Sequence, residues 1–308
     1  MTRTAATSSS RRRVKGQNFL KASVNSSTTQ AERAHAKPCD RFGLTGPSVV
    51  LDRRINAVRG DIADIALAGI LFAPHYACPM ARRCAVPSVP VRDRASEHGA
   101  QISELIFGES FDVLDISGGW AWGYSAADHY VGYVPEDALA PPLEGSWRVA
   151  VPEARSDAGE TLFMGSRIDG IVDGDLLTSA AGAVALDDLA GPDAVFDPVS
   201  LAELFLGAPY LLGGRTVRGI DCSGLVQIAY GMAGIPLPRD SDLQAATGTP
   251  LAEGEARRRG DLAFFPGHVG MMIDGERMIH ATAHSGNVTI EPLADVEART
   301  TAAQVRRP

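Results

Sequence analysis

Ile220-Asp221-Cys222-Ser223-Gly224-Leu225 is the stretch that decides how this chain is read. Gly213-Gly214 and Gly219 punctuate the backbone ahead of the cysteine. Leu225, Val226, Ile228, Ala229 and Met232 then follow at helical spacing until Gly234. The pattern predicts a helix with Cys222 in its first turn and Asp221 as its N-cap. A thiol placed there faces unpaired backbone N–H groups and the positive end of the helix dipole. Such a position lowers a thiol pKa from about 8.5 toward the range of about 3.5–7.5, and it is the thiolate that attacks.

Two histidines lie downstream. His268-Val269-Gly270-Met271-Met272-Ile273 and Arg277-Met278-Ile279-His280-Ala281-Thr282 read as strands, with Asp274-Gly275 as the turn signal. Side chains alternate along a strand, so register decides whether the histidines meet. A two-residue loop would put them on opposite faces. A three-residue loop, Asp274-Gly275-Glu276, pairs His280 with Gly270 and sets both imidazoles on one face. The second register is expected, with His268 as base beside the thiol and His280 orienting it.

Taken singly, Cys222 reads equally well as a small buried hydrophobe, and each histidine as an ordinary core or surface residue. A glycine-flanked cysteine at a helix start, joined by two histidines on one face of a later hairpin, is hard to produce by packing alone.

Further motifs surround these: Ala208-Pro209-Tyr210-Leu211-Leu212-Gly213-Gly214, Pro238-Arg239-Asp240-Ser241 and Gly260-Asp261-Leu262-Ala263-Phe264-Phe265. With Asp221-Cys222-Ser223-Gly224-Leu225, His268-Val269-Gly270 and Ile279-His280-Ala281 they follow one order over about residues 198 to 300. The set resembles the catalytic domain of the NlpC-type (NlpC/p-sixty) cell-wall cysteine peptidases. The resemblance implies an α+β, papain-like fold, a helix packed on an antiparallel sheet, over 198–308. It makes Cys222 the nucleophile, His268 the base and His280 the third, polar member. The family often reads Tyr-Leu-Trp-Gly-Gly where this chain has Leu212, which removes an aromatic wall but no catalytic group.

The same resemblance implies a murein peptide substrate, cut between γ-linked D-glutamate and a diamino acid such as diaminopimelate. Tyr210, Asp221, Ser223, Arg239, Asp240 and Ser241 would line the pocket. Hydroxyls and Arg239 suit a D-glutamate α-carboxylate, and Asp221 and Asp240 suit a free amine. Asp221 also reads simply as a cap, and Asp240-Ser241 as a helix start. Attack on the γ-glutamyl carbonyl would give an oxyanion held by backbone N–H groups at the helix start. His268 would then protonate the leaving amine, and water would hydrolyse the thioester. No metal or organic cofactor is expected.

Ahead of this domain, residues 86–140 contain five short alternating strands at close spacing, which predict a small barrel. Gly108-Glu109-Ser110-Phe111-Asp112-Val113, Gly119-Trp120-Ala121-Trp122 and Gly132-Tyr133-Val134 resemble bacterial SH3-like domains. A degenerate second copy is expected over 146–190, so the fold expected is two small SH3-like β-barrels followed by the catalytic domain. In peptidases of this kind the first barrel leans over the groove and meets the peptide's amine. Glu104, Glu109, Tyr130 and Tyr133 are the candidates here, although the aromatics read equally as barrel core and surface. A covered groove implies exo-acting removal of a dipeptide.

Residues 51–85 are expected to form a helical lead-in. The tail over 1–50 is Ser/Thr-rich and basic. Residues 1–41 hold nine Lys or Arg against two acids, so with a whole-chain charge of −8 the remainder carries −15. Disorder is expected there, and nucleic-acid binding is not, because the body is acidic.

The 308 residues are 45% hydrophobic and 21% charged, ordinary for a globular protein, with no apolar run of membrane-span length. Cys39, Cys78, Cys84 and Cys222 form no paired framework, and with His75 they lack standard zinc spacing. With no signal-peptide pattern, the expectation is cytoplasmic and the substrate a free fragment in recycling. Two rival readings stand beside this: an amidase or acyltransferase of the same fold, and a murein-fragment binding protein.

Overall fold

The computed structural model describes residues 49–143 and 145–308, so the expectation for the basic tail lies, but for its last two residues, outside the described residues. The helical lead-in expected over 51–85 is not formed. Ile62–Asp64 is a short strand parallel to His75–Ala77, joined by a single 3-10 turn over Ile65–Leu67. Asp64 caps that turn, its carboxylate accepting the Ala66 N–H at 2.8 Å. Gly69, at φ +84°, and Pro74 end the apolar run before a second turn can form.

Met80–Cys84, also from this lead-in, joins the first β-module instead. Seven antiparallel strands run in the order Gln101–Ile106, Ser88–Arg92, Val131–Pro135, Trp120–Ser125, Ser110–Ser117, Met80–Cys84 and Leu139–Ala140. Alternate residues turn inward, so that Val89, Val91, Phe111, Val113, Ala121 and Val134 form one core. Cys84 is buried in it while Cys78 is exposed.

The second module is built of smaller pieces, including an antiparallel meander of Ile171–Asp173, Leu176–Ser179 and Gly182–Ala185. Val149, Ala154, Leu162, Ile168, Leu177 and Val184 make its core.

In the last third a helix packs on an antiparallel sheet. Asp197 caps the helix Pro198–Glu203 by accepting the Ser200 N–H at 3.0 Å, and the helix stops four residues before Gly207. The Cys222–Met232 helix is apolar on nearly every side, and Cys222 through Tyr230 are all buried. Such a helix belongs in the centre of a fold. Leu225, Val226 and Ala229 share a core with Val269, Met271, Ile279 and Ala281 of the sheet, each large side chain contributing about 1.5–3 kcal/mol by leaving water. The sheet order is Thr249–Pro250, Gln304–Arg307, Leu262–Phe265, His268–Met272, Arg277–Thr282, Asn287–Pro292.

These modules are fused, not strung on linkers. Ile106 of the first sheet and Phe163 and Met164 of the second module are buried in the same core as the Cys222 helix. Arg215 adds a polar joint, donating from Nη1 to the Glu104 carbonyl at 2.7 Å and pairing with Glu109. No helix of the described residues is long and apolar enough to cross a membrane.

Candidate active site

The hairpin takes the three-residue register. Met271 pairs with Ile279 and Met272 with Met278, which sets His280 opposite Gly270. Both imidazoles therefore stand on one face, with His268 Nε2 2.8 Å from His280 Nδ1. His280 Nε2 lies 3.2 Å from Glu291 Oε1, and the other oxygen of Glu291 is paired with Arg299 at 2.6 Å.

This chain fixes the protons. Arg299 and His280 hold the Glu291 carboxyl below its usual range despite partial burial, so it is an acceptor only. Burial holds His280 neutral by lowering its pKa, and its one proton must sit on Nε2 to meet Glu291. Its Nδ1 is then a bare acceptor, which requires the His268 proton on Nε2. The lone pair of His268 is left on Nδ1.

Cys222 opens its helix as expected, and the Asp221 carboxylate caps it, accepting the Gly224 N–H at 2.7 Å. The expected acidity is not found. Burial pushes the thiol up to about 11, and the Asp221 charge pushes the same way. The N–H groups of Val269 and Ser223 and the Arg239 guanidinium pull against this without overcoming it. The N-cap that starts the helix is itself an anion and the first turn is closed off from water, and both oppose the thiolate. His268 is lowered to about 4, chiefly by burial and next by His280. At neutral pH both groups at rest are uncharged.

Cys222 lines a cavity of about 270 Å³. Tyr210, Asp221, Ser223, Asp240 and Ser241 line it as well, and Tyr130 reaches it from the first sheet. Burial keeps the Tyr210 phenol protonated, raising its pKa, so it is a donor.

Five of the site residues expected from sequence are corrected. Arg239 is 1% exposed and has all five N–H groups engaged inside the protein. It donates twice to Asp221, at 2.9 and 2.6 Å, to Ser223 Oγ at 2.9 Å, to Ser103 Oγ at 3.1 Å and to the Gly214 carbonyl at 3.4 Å. No donor remains for a ligand carboxylate. Glu104 is buried, with Oε2 accepting the Arg215 backbone N–H at 2.8 Å, and Glu109 is tied to the Arg215 guanidinium, so both bind the joint between modules instead of the groove. Tyr133 packs in a satellite core with Trp122 and Leu114. Asp221 reaches the groove wall, but its oxygens are taken up by Arg239, Gly213, Gly224 and Ser223, which makes it a cap and an anchor.

Sequence reading missed Gln101, Ile102, Gly213, Asp242 and Gly267 on the cavity wall, and Glu291 behind His280. Glu291 was available to inspection: a strand after His280 that pairs with it in register brings Glu291 beside Met278, one turn of the pleat away.

Residues 207–307 match the NlpC/P60 family, and residues 91–139 match the bacterial dipeptidyl-peptidase SH3 domain. The similarity to NlpC/P60 proteins is carried by the carboxy-terminal third of the chain. Among curated relatives, dipeptidyl-peptidase 6 of Lysinibacillus sphaericus is 36% identical over 97 residues, covering 31% of this chain and 35% of its own. Gamma-D-glutamyl-L-lysine dipeptidyl-peptidase of Bacillus cereus is 36% identical over 105 residues, 32% of this chain and 31% of its own. The chain thus spans about a third of the length of these relatives. An NlpC/P60 family protein from Bacillus cereus shares the fold more widely, with a TM-score of 0.64 at 21% identity over 74% of this chain and 99% of that one. The region similar to NlpC/P60 proteins is accordingly the papain-like α+β unit, preceded by an SH3-like module.

Proposed function

We propose that the protein is a cysteine peptidase that hydrolyses the γ-D-glutamyl–diamino acid bond of murein peptides. Its substrates are free fragments in recycling, from which it removes an amino-terminal L-Ala-γ-D-Glu dipeptide. The observation that carries this reading is the meeting of Tyr130 and Asp240 at the Cys222 cavity, the Tyr130 hydroxyl lying 3.1 and 3.0 Å from the two carboxylate oxygens. A residue of the SH3-like module and a residue of the NlpC/P60 domain together close one end of the groove. A peptide entering from the other end places its amine against Asp240, so that a short amino-terminal piece lies between that wall and the scissile carbonyl. Similarity to relatives named as dipeptidyl-peptidases supports a dipeptide as that piece.

In the mechanism, substrate binding brings the γ-carbonyl carbon to Cys222 Sγ. The sulfur bonds to that carbon while its proton passes to the lone pair of His268 Nδ1. The Cys222 backbone N–H, for which no protein acceptor is found among the described residues, is left to hold the oxyanion. Collapse breaks the C–N bond, and His268 gives its proton to the departing amine. Water then attacks the thioester, losing a proton to the same nitrogen, and Cys222 leaves as thiol. His280 and Glu291 keep the imidazolium on its axis through both steps. With Arg239 withdrawn, the hydroxyls of Tyr210 and Ser241 meet the D-glutamate α-carboxylate.

Mass analysis of products from L-Ala-γ-D-Glu-diaminopimelate tests the reading. The dipeptide and free diaminopimelate are expected from the native protein and neither from Cys222→Ala. Binding of the tripeptide without turnover by both proteins would overturn it in favour of a fragment-binding role.

A further inference from the structure

The segment ahead of the first sheet brings one guanidinium to the closed end of the groove. Arg54 donates from Nη1 to Asp240 Oδ2 and to Asp242 Oδ1, each at 2.8 Å. From Nη2 it donates to Asp242 Oδ2 and Asp52 Oδ2, each at 2.7 Å, and from Nε to Asp52 Oδ1 at 3.1 Å. Its carbonyl accepts the Val131 N–H at 2.7 Å, one residue from Tyr130. A single residue therefore ties the lead-in, the first sheet and the Asp240–Asp242 turn together. It lies outside both stretches matched to known families.

Asp240 stands at the N-cap position of the short helix Ser241–Gln244, yet its carboxylate makes no cap bond. Tyr130 and Arg54 hold it away from the backbone. Arg54 grips Asp52 and Asp242 with two bonds or more each and Asp240 with one, through Oδ2 alone. Asp240 Oδ1 has only the Tyr130 hydroxyl and keeps an open lone pair on the cavity side.

We propose that Arg54 is a positioning and specificity residue, which offsets part of the charge of Asp52 and Asp242 and fixes Asp240 so that its Oδ1 receives the ammonium of the peptide's amino terminus. This rests on the peptidase reading above. Without Arg54, three carboxylates would repel one another at the groove end, and the ammonium would find them in several arrangements, none preorganised. Lysine restores the charge but not the fork that spans three acids.

The test is a cycle between this side chain and the substrate's amine, run on L-Ala-γ-D-Glu-diaminopimelate and on the same peptide lacking its α-amino group. For Arg54→Gln, KM for the amino peptide is expected to rise about tenfold with kcat altered less than about threefold, while the des-amino peptide shows little change. Arg54→Lys is expected to fall between native and Gln. Equal losses on both peptides would mean a merely structural role and overturn the proposal, as would an unaltered KM for the amino peptide. A native protein that cleaves neither peptide would overturn the peptidase reading, and the amine site with it.

Discussion

His280 donates its single ring proton to Glu291 across 3.2 Å, and through that bond Glu291 selects the nitrogen that His268 keeps bare. Glu291→Gln allows the amide to donate to His280 Nε2, which permits the opposite tautomer along the chain. The kcat of the variant is expected to drop about 10- to 100-fold with KM nearly as in the native protein, less than the ~10²- to 10⁴-fold loss from removing the base in His268→Ala. Steady-state kinetics on the tripeptide check both, and equal activity of Glu291→Gln and the native protein would dismiss the relay.

The resting site is uncharged, with His268 at about 4 and Cys222 at about 11. The acid limb of the activity profile is therefore expected near pH 4, well below an ordinary imidazole's 6.5, and the activity is expected to hold through neutrality toward the thiol's range. Stability follows the same sign. A histidine whose folded pKa is depressed stabilises the fold above its unfolded value, and that stability is lost as pH falls through the window from 6.5 to about 4. Denaturant titrations across that window are expected to show losses of up to about 1.4 kcal/mol per pH unit from this group. An acid limb at pH 6.5 or above would contradict a His268 lowered by burial.

Arg239 is an internal anchor, so its loss is expected to act on folding before binding. Arg239→Leu leaves Asp221 buried without its partner, at a cost of about 3–5 kcal/mol. Urea unfolding would read this as a lower midpoint, and a variant of native stability with only a raised KM would restore Arg239 to the substrate pocket.

Gly224, in the first turn of the Cys222 helix, lies where an added Cβ would stand 2.5 Å from the Gly214 carbonyl oxygen. Backbone meets backbone there and cannot yield as a side chain would. Gly224→Ala is expected to cost about 1–3 kcal/mol and to shift the Cys222 turn, lowering both thermal midpoint and activity.

Much of the site was legible because it is local or periodic. Asp221, Cys222 and the helical apolar set behind them sit in one stretch, and period-two alternation allowed just one register that joins His268 to His280. What escaped depends on distance and burial. Nothing in the spacing of Pro238-Arg239-Asp240 says that Arg239 turns inward to Asp221 while Asp240 turns out to Tyr130. Nor does a helix-start cysteine announce the water exclusion that raises its pKa. The lead-in misled because Ile62, Ile65 and Leu71 share a helical period, whereas Gly69 and Pro74 break the chain into short extended pieces. Glu104 and Glu109 were rightly placed in the SH3-like module but face Arg215, a joint that only the packing of three modules creates.

The closed groove end is tested most directly by mass analysis of products from two tripeptides, L-Ala-γ-D-Glu-diaminopimelate with a free amine and the same peptide acetylated on it. Dipeptide and diaminopimelate are expected from the free peptide alone, because the acetyl group removes the ammonium that Asp240 receives and adds bulk where Tyr130 stands. Comparable cleavage of the acetylated peptide would contradict a groove closed by the SH3-like module.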